Sequence, residues 1–413
     1  MDEDKSAEDW AGPLAGIRVI DLTRVLAGPF ATQSLGDLGA EILKIEPPGG
    51  GDETRRFPPF IAGESHYFLG INRNKKSLVI DLQQAAGADI LRRLVARADI
   101  LVENYRPGVM DRLGLGYEPL AAINPRLIYC AISGFGLTGP LSDKPSFDIV
   151  TQALTGALSI NGERGHMPVK LGIPLGDMVG GIFAPMAILA ALHERTLTGR
   201  GRLIDISLYD GLIGMLGYFA QLAFITGEDP TPMGSSHPNI VPYGSFPAAD
   251  GSIIIAVLSE SFWGKLCDAL ERPDLGRDPR FSTPTGRRDH RDEVDRIIAE
   301  ATRTRAVAEW QERFTSFDVP HAPVLGVNAA LAHPHAVARE MVVEADHPTA
   351  GRLRLAGRPI KFPGAPQRPS TAPPTLGQHT VEVLRNDLGC SEAEIAVLRR
   401  DGVIDRLTAP TRE

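Results

Sequence analysis

In the stretch LGIPLGDMVGGIFAPMAILAAL, residues 171 to 192, one carboxylate, Asp177, stands between a glycine and a long run of apolar and small residues. Two kinds of work suit it. Asp is among the best helix N-caps, because its carboxylate accepts a hydrogen bond from an unpaired N–H of the first turn. A carboxylate at a helix start also sits where the helix dipole favours its ionised, reactive form. The local pattern alone favours the cap, so the rest of the chain must decide.

Other candidate motifs fall away on their context. Gly134-Phe135-Gly136-Leu137-Thr138-Gly139 satisfies GxGxxG after a strand-like run. A dinucleotide site needs a helix opening at the third glycine, and Pro140, Asp143 and Pro145 keep the chain in a loop. His333 and His335 have a proline between them and no cysteine or carboxylate at ligand spacing, so no metal site is expected. There is no GxSxG elbow and no GxxxxGK[ST] loop, which removes support for serine hydrolase and NTPase chemistry. Cys130, Cys267 and Cys390 are widely spaced and form no CxxC pair, which fits a reducing cytoplasm rather than a disulfide framework. The formal net charge of -8 gives no basic footprint for nucleic acid. The start, MDEDKSAEDW, is acidic and polar, the opposite of a secretory signal. Met178 to Leu192 falls short of the roughly 20 residues that cross a bilayer, and it reads as a buried helix.

The elements that must position Asp177 alternate. GIRVIDLT (16–23), EILKIE (41–46), SLVIDL (77–82), DILVENY (99–105), LIYCAISG (127–134) and RLIDISL (202–208) read as strands. PFATQSLGDLGA, AAGADILRRLVARA and the segment after Asp177 between them carry helical spacing. The pattern is α/β, a Rossmann-like, doubly wound domain with a mostly parallel sheet, in which ligands meet loops at the carboxyl ends of strands. TRVLAGPF, VENYRPG and SGFGLTGP are those loops. The expected organisation is an acidic tail over 1–12, a large domain over 13–208, a linker over 209–232, a smaller α/β domain over 233–325, a second linker over 326–340 and a C-terminal segment over 341–413.

PLAGIRVIDLTRVLAGPFATQSLGDLGAEILKIEPPGGGD, INRNKKSLVIDL, VENYRPGVMDRLGLGYE and GDMVGGIFAPMAILAALHERTLTGRGRLIDISL together resemble the family III CoA-transferases. That group includes formyl-CoA transferase, carnitine CoA-transferase and α-methylacyl-CoA racemase. NRNKKS, IVPYGSF and LGQHT are most similar to the succinyl-CoA:glutarate and related dicarboxylate enzymes. The resemblance implies that Asp177 is the nucleophile of a CoA transfer, forming first a mixed anhydride and then an aspartyl-CoA thioester. It implies that Leu26, Ala27, Ile80, Asp81, Leu82, Gln83, Asn104, Tyr105 and Arg106 line the CoA path, and that Arg112 meets phosphate, for which a guanidinium fork is suited. CoA would be a substrate, with no tightly bound cofactor and no metal. Lys75 and Lys76 form a short basic run, a pattern that is usually solvent-facing, and no site role is assigned to them. The family fold further implies two chains threaded through each other as an interlocked homodimer, with the C-terminal segment returning to the large domain.

Two departures narrow the activity. Formyl-CoA transferases carry a glutamine where this chain has Leu26, so formyl and oxalyl transfer lose an amide. Racemases of the family carry a histidine where this chain has Phe147, and a phenylalanine cannot exchange a proton. Asp148 is a candidate for polarising the site or binding substrate, or a loop-to-helix cap. Gly234, Ser235, Ser236 and His237 correspond to a glycine-rich loop that covers the site in some relatives; a mobile lid and a plain turn are both compatible with them. The expectation is a CoA-transferase with a dicarboxylate acceptor, and the rivals are an acyl-CoA racemase and a catalytically silent CoA-binding protein.

Overall fold

The computed structural model describes residues 12–365 and 369–405; most of the expected acidic tail and the last eight residues lie outside them. Six short β-branched and aliphatic runs pair into one wholly parallel sheet. Its strands, in chain order, are Arg18–Asp21, Glu41–Glu46, Lys75–Val79, Ile100–Glu103, Ile128–Ser133 and Leu203–Ser207. Every strand read from the sequence is present, the third beginning two residues early. Across the sheet they run Lys75–Val79, Glu41–Glu46, Arg18–Asp21, Ile100–Glu103, Ile128–Ser133, Leu203–Ser207. The order reverses between the first strand and Ile100–Glu103, so a crevice opens beyond their carboxyl ends.

Both faces of the sheet are covered, which is why its strands are buried almost throughout. On one face Leu78, Ile80, Leu101 and Tyr129 pack with Ile90, Leu91 and Leu94 of the helix Ala85–Val95. Val383, Leu384, Ile395 and Ile404 join the same core, which docks the C-terminal helices Thr380–Asn386 and Glu392–Arg400 here. Thr380 Oγ1 accepts from Val79 N–H at 3.0 Å, tying that segment to a strand edge. On the other face Val19, Ile42, Ile100 and Ile128 meet Ala27, Ala31 and Leu35 of the helix Ala27–Asp37 and Ala184, Ile188 and Ala191 of the helix Leu175–Thr198.

These two helices approach closely because the second carries glycines where they cross. A Cβ at Gly181 would come within 2.8 Å of Phe30 Cδ1 and 3.1 Å of the Ala27 carbonyl oxygen, while one at Gly180 would meet Leu208 Cδ2, of the helix Leu208–Met215, at 2.4 Å. At 24 residues and mean hydropathy 1.8 the helix Leu175–Thr198 is long and apolar enough to cross a membrane. One face of it is packed on the sheet. The expectation of a buried helix holds for that face only, since Ile182, Met186 and Leu197 are exposed.

The chain divides into two compact units. The first, described above, comprises residues 1–157, 171–220 and 334–413. The second comprises 158–170 and 221–333. It has an antiparallel sheet of His321–Pro323, Ser252–Ala256 and Tyr243–Pro247 under a core of Ile253, Ile255, Trp263, Leu266, Trp310 and Phe314. Residues 158–170 leave the first unit for the second, an excursion with no composition signal. The two stretches read as linkers are largely helical: Leu208–Met215 and Tyr218–Thr226 in one, Val327–Ala332 and Pro334–Ala338 in the other. Pro and Gly marked where these short helices break rather than an absence of structure. All three cysteines are buried and free.

Candidate active site

Asp177 lies in the first turn of the helix Leu175–Thr198, but it does not cap it. Pro174 is the N-cap and no side chain caps from that position. The unpaired N–H of Gly176 is instead satisfied from another element: Asp148 Oδ1 accepts it at 2.7 Å. Asp148 Oδ2 accepts from Gln152 Nε2, also at 2.7 Å. Asp148 opens the helix Asp148–Leu154, whose own N-cap is Phe147, so the loop-to-helix cap expected of it is replaced by a cap on the Asp177 helix. Gly176 is required there, because a Cβ would lie 2.9 Å from Thr151 Oγ1 and 3.1 Å from Asp148 Oδ1.

Relieved of capping, the Asp177 carboxylate has no hydrogen-bond or ion-pair partner among the described residues. It is half-buried, and burial, with the negative charge of Asp148 added, pushes its pKa up to about 7. A carboxylate that is desolvated, unpaired and more basic than usual is a stronger nucleophile and a poor structural group. Tyr67, in the helix His66–Ile71, was not read from the sequence. Its phenol is raised by burial and then by the charges of Asp177, Asp52 and Asp148, which places it in the same field.

At the carboxyl ends of the strands a cavity of about 510 Å³ opens. Ile80, Asp81, Leu82, Gln83 and Tyr105 line it, as do Arg24, Arg56 and the glycine run Gly49–Gly51. Arg24 lies over the Tyr105 ring, 5.2 Å from its centroid, and pairs with Glu53 at 2.7 Å. Among the residues expected on the CoA path, Leu26, Ala27, Asn104, Arg106 and Arg112 do not line this cavity. Leu26 and Ala27 are buried at the start of the helix Ala27–Asp37, facing the Asp177 helix: the carbonyl of Ala27 is 3.1 Å from where a Cβ of Gly181 would be. Asn104 spends its amide on backbone, accepting from Arg24 N–H at 2.9 Å and donating to Arg24 C=O at 2.8 Å. Arg112 is exposed, its guanidinium beside Gly108.

Beneath the loop Thr23–Ala27 lies a charged network that sequence reading missed. Lys75 is fully buried, a correction to the solvent-facing reading of the Lys75–Lys76 pair. Its ammonium donates to Asp21 Oδ2 at 3.0 Å, Asn72 Oδ1 at 2.9 Å and Pro29 C=O at 2.9 Å. Burial, only partly offset by Asp21, lowers its pKa to about 8. Lys44 donates to Asp52 Oδ2 at 3.1 Å and to Thr23 C=O at 2.7 Å. The available signal was Lys44 inside the strand-like EILKIE of a sheet covered on both faces, since such a lysine is buried and has to find a carboxylate; Lys75, which opens its strand, gave no such signal.

In the second unit, Gly234–His237 is a pinned turn. Gly234, at φ +61°, donates its N–H to Gly162 C=O at 2.7 Å, and Ser235 Oγ accepts from Ser245 N–H at 2.9 Å. The carbonyls of His237 and Pro238 accept from Arg291 at 2.8 and 2.9 Å. Burial and the Arg291 charge lower the His237 pKa. The GxGxxG segment is followed by a loop up to Asp148, with no helix at Gly139. The described residues hold no cluster of His, Cys, Asp and Glu able to bind a metal.

The site combines a doubly wound parallel sheet, a cavity at its switch point and, on an adjoining helix, a carboxylate with no partner among the described residues. The chain belongs to CoA-transferase family III, whose pattern matches residues 14–380. It is 36% identical over 395 residues to the human succinyl-CoA:glutarate CoA-transferase, covering 95% of this chain and 90% of that one. It is 40% identical over 354 residues to the acetyl-CoA:oxalate CoA-transferase of Acetobacter aceti, covering 86% and 90%. The crystal structure of a CAIB/BAIF family protein from Brucella suis superposes with a TM-score of 0.83 at 35% identity, over 92% of this chain and 100% of that chain.

Proposed function

We propose that this enzyme moves CoA from a dicarboxylyl-CoA, with succinyl-CoA as the reference donor, to a free dicarboxylic acid, and that Asp177 is its nucleophile. The unpartnered Asp177 carboxylate, with its pKa raised to about 7, carries the proposal. Ionised Asp177 attacks the thioester carbonyl; the C–S bond breaks, CoA leaves as thiolate, and a mixed anhydride remains. The thiolate then attacks the aspartyl carbonyl, releasing the donor acid and leaving an aspartyl-CoA thioester. The acceptor carboxylate reverses the two steps, ending with its own thioester and free Asp177. No proton is gained or lost overall, so no second acid or base is required, and the exposed Phe147 in place of histidine is no handicap.

In this reading Ile80 to Gln83 and Tyr105 receive the nucleotide end in the 510 Å³ cavity, and Leu26 and Ala27 flank the pantetheine. Arg106 and Arg112 are exposed, and in this reading they meet the CoA phosphates from the solvent side. The chain forms the interlocked homodimer of its family; the support is the exposed apolar face of Ile182, Met186 and Leu197, together with the helix Tyr218–Thr226, in which no residue is buried. The test is transfer itself: purified enzyme with succinyl-CoA and glutarate yields glutaryl-CoA, and a covalent aspartyl-CoA adduct on Asp177 is trapped by hydroxylamine or borohydride. Absence of both products across a panel of dicarboxylic acids rules the assignment out.

A further inference from the structure

Val25 stands in the left-handed region, at φ +65°. A β-branched residue is a genuine outlier there, and such a conformation persists only where its surroundings over-determine it. The surroundings here do so atom by atom. Arg24 N–H and C=O are both held by the Asn104 amide, at 2.9 and 2.8 Å. Val25 N–H donates to Asp52 Oδ1 at 3.3 Å. Asp52 is itself buried and fixed, by Thr54 N–H at 3.0 Å and by Lys44 at 3.1 Å. Lys44 also holds Thr23 C=O, and Asp21 Oδ1 accepts from Thr23 N–H at 2.9 Å. Three consecutive residues, Thr23 to Val25, thus have their backbone pinned by the side chains of Asp21, Lys44, Asp52 and Asn104.

The position of this turn gives the pinning a purpose. Asn104 follows the strand Ile100–Glu103 and Arg24 follows Arg18–Asp21, so their paired hydrogen bonds bridge the crevice where the strand order reverses. On one side of Val25, Arg24 reaches over Tyr105 into the cavity. On the other side, Leu26 and Ala27 open the helix packed on Gly180 and Gly181, one turn below Asp177. The left-handed residue is the joint between the cavity end and the reacting end of the path.

We infer that Asn104 and Asp52 are positioning residues for catalysis: they hold Val25 left-handed, and that kink fixes the backbone of Leu26 and Ala27 against the Asp177 helix. The inference rests on the reading of Asp177 as the reacting group. Asn104 acts through the Arg24 backbone, which accounts for both ends of its amide. A glycine at 25 adopts the same conformation without strain, and it therefore needs the clamp less than valine does.

The experiment compares wild type, Asn104→Ala, Val25→Gly and the double variant Val25→Gly/Asn104→Ala. All are assayed as full-length enzyme for steady-state transfer from succinyl-CoA to glutarate and for thermal midpoint. A displacement of about 1 Å at a reacting centre costs on the order of a hundredfold, so Asn104→Ala is expected to lower kcat by about tenfold or more. Val25→Gly raises the thermal midpoint, and in the double variant it restores most of the kcat lost in Asn104→Ala. If Asn104→Ala does not fold, Asn104→Asp keeps the volume and the acceptor for Arg24 N–H and carries the same comparison. A kcat unchanged by loss of the Asn104 amide, or a double variant as slow as the single one, overturns the inference. Failure of the wild-type enzyme to transfer at all would instead count against the assignment of function, so the two failures are distinguishable.

Discussion

The carboxylate of Asp148 accepts the N–H of Gly176 at 2.7 Å, and the residue next to Gly176 is Asp177. One acidic side chain therefore anchors the start of the helix that carries the other and lays its negative charge beside it. Anchoring and charge make opposite demands: the cap fixes Asp177, and the charge disfavours its ionised form.

The pH dependence of transfer follows from that pair. The nucleophile must be ionised, and its pKa stands near 7, raised first by burial and then by Asp148. The acid limb of kcat/KM for the acyl-CoA is expected near neutrality, far above an ordinary carboxylate. In Asp148→Asn the limb moves to lower pH, because the second of the two causes is gone, while kcat falls as the cap weakens. A pH–rate profile with the limb unmoved would show that burial alone sets the pKa.

Replacement of Asp177 separates chemistry from stability. A carboxylate whose folded-state pKa lies above its unfolded value binds its proton more readily in the folded protein. Stability therefore falls as pH rises between 3.8 and about 7. Asp177→Asn removes that cost, so above pH 7 the variant is expected to melt at a higher temperature than wild type, with transfer reduced by at least ~10³-fold, as is typical when a nucleophile is lost. Thermal scans at pH 5 and pH 8 check the first part; a gain at pH 5 equal to that at pH 8 contradicts it.

The buried pair Lys75–Asp21 behaves differently. Both side chains are wholly removed from solvent, 3.0 Å apart. Removing one leaves the other charge uncompensated, so Lys75→Met is expected to cost about 3–5 kcal/mol, and the double variant Asp21→Asn/Lys75→Met distinctly less than the two single losses together. Urea unfolding of the three variants measures the coupling; strict additivity would mean that the two charges do not depend on each other.

What could be read from the sequence, and what could not, divides along physical lines. The six strands were legible because buried parallel strands are runs such as SLVIDL and DILVENY, a signal carried within each segment. Lys75 was misread because a basic pair looks solvated until the partner is known, and its partner Asp21 is 54 residues away. Asp177 stood out in the sequence as a lone carboxylate before an apolar run, but the cap reading failed because the capping group comes from Asp148, 28 residues from Gly176. Val25 in TRVLAGP gave no warning of a left-handed backbone, since valine is the residue type least expected there. Segment-level pattern was visible, and pairing across the chain was not.

Phe147 supplies a prediction about what the enzyme does not do. Epimerisation through an enolate needs a base on one face of the α-carbon and an acid on the other. The side chain at 147 is 71% exposed and carries no ionisable group. In heavy water a 2-methylacyl-CoA is expected to take up no deuterium at its α-carbon on the timescale of transfer. Uptake at a catalytic rate, seen by mass spectrometry, would return the racemase reading.

The acceptor is the sharpest remaining question, and the relatives frame it: one is named for succinyl-CoA and glutarate, another, 40% identical, for acetyl-CoA and oxalate. Oxalate is therefore the informative competitor. Leu26 is buried and aliphatic, so it offers no hydrogen bond to the carbonyl of a formyl or oxalyl group. The proposed diacid acceptor carries a second carboxylate, and a site built for it must pair that charge, since leaving it unpaired away from water costs several kcal/mol. On that proposal monocarboxylates are expected to transfer poorly. When succinate, glutarate, acetate, formate and oxalate compete for CoA from isotope-labelled succinyl-CoA, label is expected to collect in succinyl-CoA and glutaryl-CoA. Leu26→Gln is expected to shift the balance toward oxalate and formate by restoring an amide at that point. Preferential labelling of oxalate, formate or acetate by the unaltered enzyme would sink the dicarboxylate assignment and leave only the family-level activity standing.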